Sequence, residues 1–153
     1  MTKVPSDELT IEEATSLRDY MFLRRLRNQV RHLMANDTEP ISYLRQIRFF
    51  LSMKRKSRSV ASFRIFVARC GAQPVGYLLT RTADGVTYIT EAVDQPFRRQ
   101  GVGKALVAFA QHHYPEIVVE IREGNNASIA LHHSMGFLLE QQRGGLAVYR
   151  YCK

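Results

Sequence analysis

The segment Arg98-Arg99-Gln100-Gly101-Val102-Gly103-Lys104-Ala105 lies where a strand pattern ends and a helical pattern begins. The first amide N–H groups of a helix lack intrahelical partners and carry a partial positive charge. Gly101 and Gly103 have no Cβ, so an anion can approach that backbone closely. Arg98, Arg99 and Lys104 add formal charge around it. The chemistry this predicts is a cradle for a pyrophosphate. The plain alternative is two glycines shaping a strand-to-helix turn. The pattern is shorter than the dinucleotide fingerprint or a Walker A loop.

Three titratable residues are candidates for proton transfer. Glu120 stands in the apolar run Ile117-Val118-Val119-Glu120-Ile121. Burial there disfavours the carboxylate and moves its pKa toward that of a useful base, unless a partner compensates. The alternative is an ion pair with Arg122 on the same strand face. Glu91, on the preceding strand, is the second candidate base, acting directly or through water. His132 carries an imidazole that titrates near neutrality, but a lone histidine on a helix is more often a surface or core residue than a catalyst. His133, Tyr149 and Tyr151 are weaker candidates. No pattern supplies an activating base for Cys70, and the adjacent His112-His113 pair has no metal-ligand spacing. No metal site is expected.

The elements that must position these residues are readable from periodicity. Leu9-Thr10-Ile11 suits a short strand. Over Ser16 to Asn36, Leu23, Leu26, Val30, Leu33 and Met34 recur at helical spacing. Pro40 ends that region, and Ser42 is a suitable N-cap for a second helix with Leu44, Ile47 and Leu51 on one face. The basic run Lys54-Arg55-Lys56-Ser57-Arg58 reads as a loop. Phe63–Cys70, Val75–Thr80 and Val86–Val93 form a meander, turning at Gly71-Ala72-Gln73-Pro74 and Asp84-Gly85. A helix over Val102–His113, a buried strand over Ile117–Ile121 and a short helix over Ala127–Met135 follow. Two closing strands, Phe137–Gln142 and Ala147–Cys152, join across Gly144-Gly145. The order predicts an α+β fold with a mixed, mostly antiparallel central sheet flanked by helices.

With 153 residues, the chain suits a single domain over 1–153. It is 45% hydrophobic and 24% charged, an ordinary composition for a globular protein. No apolar run approaches the ~18 residues of a membrane span, and the polar start from Met1 to Leu9 has no signal-peptide core. Cys70 and Cys152 lack metal-like spacing, so reduced thiols in the cytoplasm are the expectation. The net charge of +8 asks for an anionic partner. The charges are spread along the chain, and a small polyphosphate cofactor explains the excess as well as nucleic acid does, so charge alone does not decide between them.

Arg98-x-x-Gly101-x-Gly103, after Glu91-Ala92-Val93-Asp94-Gln95-Pro96, resembles the acetyl-CoA motif of the GCN5-related N-acetyltransferase superfamily. Glu120 to His132, followed by Met135-Gly136-Phe137, resembles that superfamily's next strand and helix. The resemblance implies a cleft where two central strands splay apart after a β-bulge, and acetyl-CoA as acetyl donor. It implies that the backbone of Ala92, Val93 and Asp94 pairs with the pantetheine arm. The amides of Gln100, Gly101, Val102, Gly103, Lys104 and Ala105 would hold the pyrophosphate, with Arg98 and Arg99 beside it. Asn125 matches the asparagine that reaches the cofactor arm. Glu120 matches the proposed base of ribosomal-protein alanine acetyltransferases, and His132 stands where the family often carries a tyrosine acid.

Leu26-Arg27-Asn28-Gln29-Val30-Arg31 and Ile41-Ser42 are similar to the N-terminal helices of acetyltransferases acting on amino-sugars and other small amines. The expected activity is therefore transfer of an acetyl group to a small primary amine, by direct attack. The alternatives are a protein N-terminal or lysine acetyltransferase, and a non-catalytic acetyl-CoA-binding or nucleic-acid-binding module. The expected partners are acetyl-CoA and an amine acceptor, with no membrane and with room for a homodimer.

Overall fold

A computed structural model of the protein describes residues 8–35, 37–55 and 62–153. Seven strands form one sheet: β1 (Leu9–Glu13), β2 (Phe63–Cys70), β3 (Gln73–Ala83), β4 (Val86–Val93), β5 (Glu116–Arg122), β6 (Leu138–Arg143) and β7 (Leu146–Cys152). Their spatial order is β1-β2-β3-β4-β5-β7-β6. Every neighbouring pair is antiparallel except β4 and β5, which are parallel. The helices are α1 (Leu17–Gln29), α2 (Tyr43–Arg55), α3 (Val102–His113) and α4 (Asn126–Ser134). The expected α+β fold, its crossover and its closing hairpin are all present.

The parallel pair shapes the site. β4 and β5 are in register only at Thr87–Ile117 and Tyr88–Val118. Beyond those two pairs the strands part. The resemblance placed a β-bulge there, and the structure corrects it. β4 keeps unbroken register with β3 from Ala83–Val86 to Gly76–Val93. The sheet's register shifts fall at Ala68/Arg69 and Leu139/Gln141. The division follows from pairing on the outer sides: β4 is tied along its length to β3, and β5 along its length to β7. Each half twists with its own neighbours, and the seam opens.

Residues alternate between the two sheet faces. Leu78, Ile89, Val119 and Ile121 face a core with Val102 and Leu106 of α3. Val67 and Tyr77 face a second core with Tyr20, Leu23 and Leu26 of α1. Burying a side chain of this size stabilises by about 1.5–3 kcal/mol. Ser16 caps α1 with a capping box, its Oγ accepting from Asp19 N at 3.2 Å. The Asp19 carboxylate is 2.6 Å from Arg69 on β2. Burial alone would raise its pKa, but Arg69 and the amides of Thr15 and Ser16 hold it below the ordinary value.

Three expectations for the N-terminal half are corrected. The periodic run from Ser16 to Asn36 is not one helix. α1 stops at Gln29, a 3-10 turn covers Arg31–Leu33, and Asn36 lies outside the described residues. Ser42 does cap α2, its Oγ accepting from Arg45 N at 3.1 Å. The inward face of α2 is different from the expected one, because Leu44, Ile47 and Leu51 are 57%, 36% and 46% exposed. Phe49, Phe50 and Met53 pack inward instead, with Tyr20 5.0 Å from Phe50 and 5.6 Å from Phe49 between ring centroids. Gln46, on the same side, donates to Tyr20 O. An aromatic cluster anchored by this hydrogen bond outcompetes the aliphatic stripe. Lys54 and Arg55 belong to the last turn of α2, not to a loop, and residues 56–58 lie outside the described residues.

Candidate active site

A cavity of about 510 Å³ passes through the seam between β4 and β5. It is lined from one sheet face by Ile89, Glu91, Val119 and Ile121, and from the other by Tyr77, Leu79, Thr90 and Glu120. Asn125 and Ser128, at the start of α4, close one end. Leu23 and Arg27 of α1, Met34 and Ile41 of the connection, and Gln46 and Phe49 of α2 wall the other.

Glu91 and Glu120 border the same space from opposite faces, because Tyr88 is level with Val118 and side chains alternate from there. Glu91 points to the α3–α4 side. Its side chain is 7% exposed, and Oε1 is 3.1 Å from Nε2 of His132, whose side chain is wholly buried. The contact is a charge pair when His132 is protonated and not an aligned hydrogen bond, and Glu91 Oε2 is buried with no partner. His132 Nδ1 donates to Ser128 O at 2.7 Å, and its ring packs edge-on to Phe137 at 5.1 Å. Burial pushes the His132 pKa down. The Glu91 charge and contact, with the Ser128 carbonyl, more than offset this and raise it. His132 therefore holds a proton readily and faces Glu91 from behind, outside the cavity lining.

Glu120 is half-buried on the α1–α2 side. Arg122, on the same face, donates through Nε to Met34 O at 3.1 Å. His133 is exposed, while Tyr149 and Tyr151 pack in the core beside α3 and α4. Cys70 and Cys152 are free thiols away from the cavity lining. Among the described residues, no group of three His, Cys, Asp or Glu is placed to hold a metal ion.

The glycine loop turns sharply into α3. Arg99 (φ 60°) and Gly101 (φ 86°) both adopt the left-handed conformation, and only one of them is a glycine. Gly101 is the N-cap of α3 and provides no side-chain cap. The amides of Val102, Gly103 and Lys104 thus open the helix without an intrahelical acceptor. Ala105 N already bonds Gly101 O at 3.0 Å. A Cβ on Gly103 would meet Leu131 Cδ2 of α4 at 3.2 Å, so this glycine also lets the two helices approach. Arg98, Arg99 and Lys104 are exposed, and Gln100 Nε2 donates to Pro96 O at 3.1 Å.

Just after β4, Asp94 N bonds Val75 O of β3 at 2.8 Å. By antiparallel alternation, the Ala92 amide and carbonyl also face β3, while those of Glu91 and Val93 face the seam. Arg98 Nε donates to Val93 O at 3.1 Å. The Asp94 carboxylate pairs with Arg25 of α1 at 2.9 Å. Asn125 caps α4, its Oδ1 accepting from Ser128 N at 3.4 Å.

Two features escaped the sequence reading. The Tyr77 hydroxyl is fully buried with no partner, and Tyr77 lines the cavity. Burial pushes its pKa up, so it stays protonated. Its only signal was a tyrosine amid the apolar residues of Val75–Leu79. The second feature is a clamp from the end of α1. Asn28 bonds both the amide and carbonyl of Ile41, at 2.8 and 3.0 Å. Arg27 donates to the carbonyls of Asp37 and Glu39, and Arg31 to that of Thr38. The motif that suggested small-amine enzymes thus fixes the segment that walls the cavity.

A family model described as Acetyltransferase (GNAT) family matches residues 19–137. Among curated proteins no sequence relative matches. Several solved structures share the fold at low identity. A ribosomal-protein-alanine N-acetyltransferase from Brucella melitensis is 22% identical, with a TM-score of 0.75 over 94% of this chain and 99% of that one. A spermidine N-acetyltransferase from Vibrio cholerae, in complex with CoA and spermine, is 13% identical, with a TM-score of 0.77 over 95% and 94%. The protein yncA from Salmonella typhimurium, solved with its cofactor acetyl-CoA, is 18% identical, with a TM-score of 0.72 over 95% and 94%.

Proposed function

The chain belongs to the acetyltransferase (GNAT) family, whose acetyl donor is acetyl-CoA, and on that premise we propose that it acetylates a small primary amine by direct attack. One observation carries the reading. A cavity through the β4–β5 seam is lined by Glu91, a buried carboxylate with no partner on Oε2 and with His132 beside its other oxygen.

The chain's own groups fit the donor. The seam leaves the Val93 and Glu91 backbone groups facing the gap, suited to pairing with an extended amide-bearing arm. Asn125 stands at the cavity's far end. The opening amides of α3, with Arg98, Arg99 and Lys104 nearby, suit a pyrophosphate. Acetyl-CoA supplies an activated acyl group: the amine nitrogen bonds to the acetyl carbon as the carbon–sulfur bond breaks, and the thiolate leaves and takes a proton from water.

Glu91 takes the proton that the amine loses, through Oε2, directly or by one water. His132 keeps Glu91 in place from behind. Its burial and its bond to Ser128 O make it a positioning residue, not an acid at the departing sulfur. Glu120, across the seam, attracts the ammonium form of the acceptor. The clamp of Arg27, Asn28 and Arg31 over residues 37–41 supports a small acceptor over a protein chain. No helix among the described residues is long and apolar enough to cross a membrane. The two free thiols suit the reducing cytoplasm.

The test is thiol release from acetyl-CoA across a panel of primary amines. Amine-dependent release should fall by at least 100-fold in Glu91→Gln, given the ~10²–10⁴ typical of general-base catalysis, while acetyl-CoA still raises the variant's melting temperature. Unchanged turnover in that variant removes Glu91 from its role.

A further inference from the structure

The acceptor end of the cavity is chemically one-sided. Leu23, Met34, Ile41, Phe49, Phe63 and Leu79 present hydrocarbon to it. The polar side chains among them already have protein partners. Arg27 is bonded to the carbonyls of Glu39 and Asp37, Arg45 is paired with Asp37 at 3.2 Å, and Gln46 is bonded to Tyr20 O. Phe49 and Phe63 meet edge-on, 5.9 Å apart, and make this wall partly aromatic. The carboxylates of Glu91 and Glu120 lie together at the seam end, with Thr90 beside them. Tyr77 lines the same cavity, and its hydroxyl is buried without a partner. A volume of about 510 Å³ falls in the range of ~300–1,000 Å³ usual for small-ligand sites, and here it must also admit the acetyl thioester.

Each sugar hydroxyl carried into such a wall would lose water and gain no partner, a cost of about 1–3 kcal/mol per group in proteins. A polyamine would bring a second ammonium into the hydrocarbon half, where the lining carboxylate, Asp37, is already paired with Arg27 and Arg45. An aryl or branched alkyl body incurs neither cost. From this distribution of groups we infer that the acceptor is a primary amine carried on an apolar body, aromatic or branched aliphatic, with at most one further hydrogen-bonding group. This deepens the acetyltransferase reading and rests on it. It replaces the amino-sugar expectation with another substrate class.

The test compares phenethylamine and isoamylamine with glucosamine, spermidine and a tripeptide with an N-terminal serine. Two readouts are taken: kcat/KM for thiol release, and the further rise in melting temperature when each amine is added to acetyl-CoA-loaded protein. The apolar amines should exceed the other three by at least tenfold in kcat/KM. Met34→Gln and Phe49→Ser should cut that preference at least fivefold while the melting shift with acetyl-CoA alone persists. Met34 is half-buried and serves if Phe49→Ser fails to fold. Glucosamine, spermidine or the peptide matching the apolar amines overturns the inference. So do apolar amines that neither turn over nor protect the loaded protein. Failure of the acetyl-CoA shift itself would count against the acetyltransferase reading, and is scored separately.

Discussion

Replacing His132 by Phe removes the cation behind Glu91 and keeps a ring of similar size against Phe137. The Glu91 carboxylate then has neither oxygen matched: Oε2 has no partner already, and Oε1 loses the imidazole 3.1 Å away. With side chains 0% and 7% exposed, solvent screens little of this pair. Deleting one member of a buried charge pair costs about 3–5 kcal/mol, a large part of a domain's ~5–15 kcal/mol. At roughly 2–4 °C per kcal/mol for a chain of this size, the melting temperature should fall by about 6–20 °C.

The pH dependence has a definite sign. The folded pKa of His132 lies above its unfolded value of about 6.5, so its stabilisation is fully present below that pH and is lost as pH rises through the raised folded value. The deficit of His132→Phe relative to the parent should therefore be largest near pH 6 and shrink in alkaline buffer. Urea denaturation of the apo protein at pH 6.0 and 8.5 measures this. A double-mutant cycle with Glu91→Leu isolates the pair, since removing both partners should cost less than removing His132 alone. A deficit under about 0.5 kcal/mol at pH 6, or one that grows with pH, would refute the reasoning.

Two further perturbations separate cofactor from acceptor contributions. Tyr77→Phe removes a buried hydroxyl that has no partner, and should raise apo stability by about 1 kcal/mol. The acceptor KM should rise while the acetyl-CoA KM holds, and a destabilised apo variant would show that the hydroxyl is satisfied in the free protein. Gly103→Glu places a carboxylate at the start of α3, against a Leu131 side chain that can move. The shift expected from acetyl-CoA at about 100 times its Kd, roughly 2.7 kcal/mol, should vanish. Gly103→Ala should retain most of that shift, and a full shift in the glutamate variant would displace the cradle from this loop.

What the sequence conveyed well is what short-range rules govern. The β2, β4 and α3 boundaries match because their ends carry turn residues, a left-handed glycine or a terminating proline. The amphipathic face of α2 was misread because Leu44, Ile47 and Leu51 have a helical period of their own. Periodicity ranks stripes on a helix but cannot say which stripe its neighbours will accept. Here the choice fell to Gln46 reaching Tyr20 O and to the aromatic rings that α1 and β2 present. The early end of α1 was hidden for a similar reason. Asn28 and Arg27 look like ordinary helix-surface residues until residues 37–41 fold back against them.

The acid–base assignment was out of reach for a sharper reason. Glu91 and Glu120 are both carboxylates on central strands, and residue type does not separate them. Which one meets His132 depends on parity across a parallel pair joined at only two positions, Thr87–Ile117 and Tyr88–Val118. A slip of one residue between β4 and β5 would exchange the faces of every side chain on β5 relative to β4. Glu120 would then face α4, and the valines beside it would face the acceptor. The observed register instead puts Glu91 under α4, where the Phe137 ring and the Ser128 carbonyl fix the imidazole. It leaves Glu120 on the α1–α2 side, where the proposed mechanism brings in the ammonium. Two backbone pairs thus divide the labour between two chemically identical groups. In the proposed mechanism, that division is why an imidazole serves as the partner of the base, where the related pattern carries a phenol.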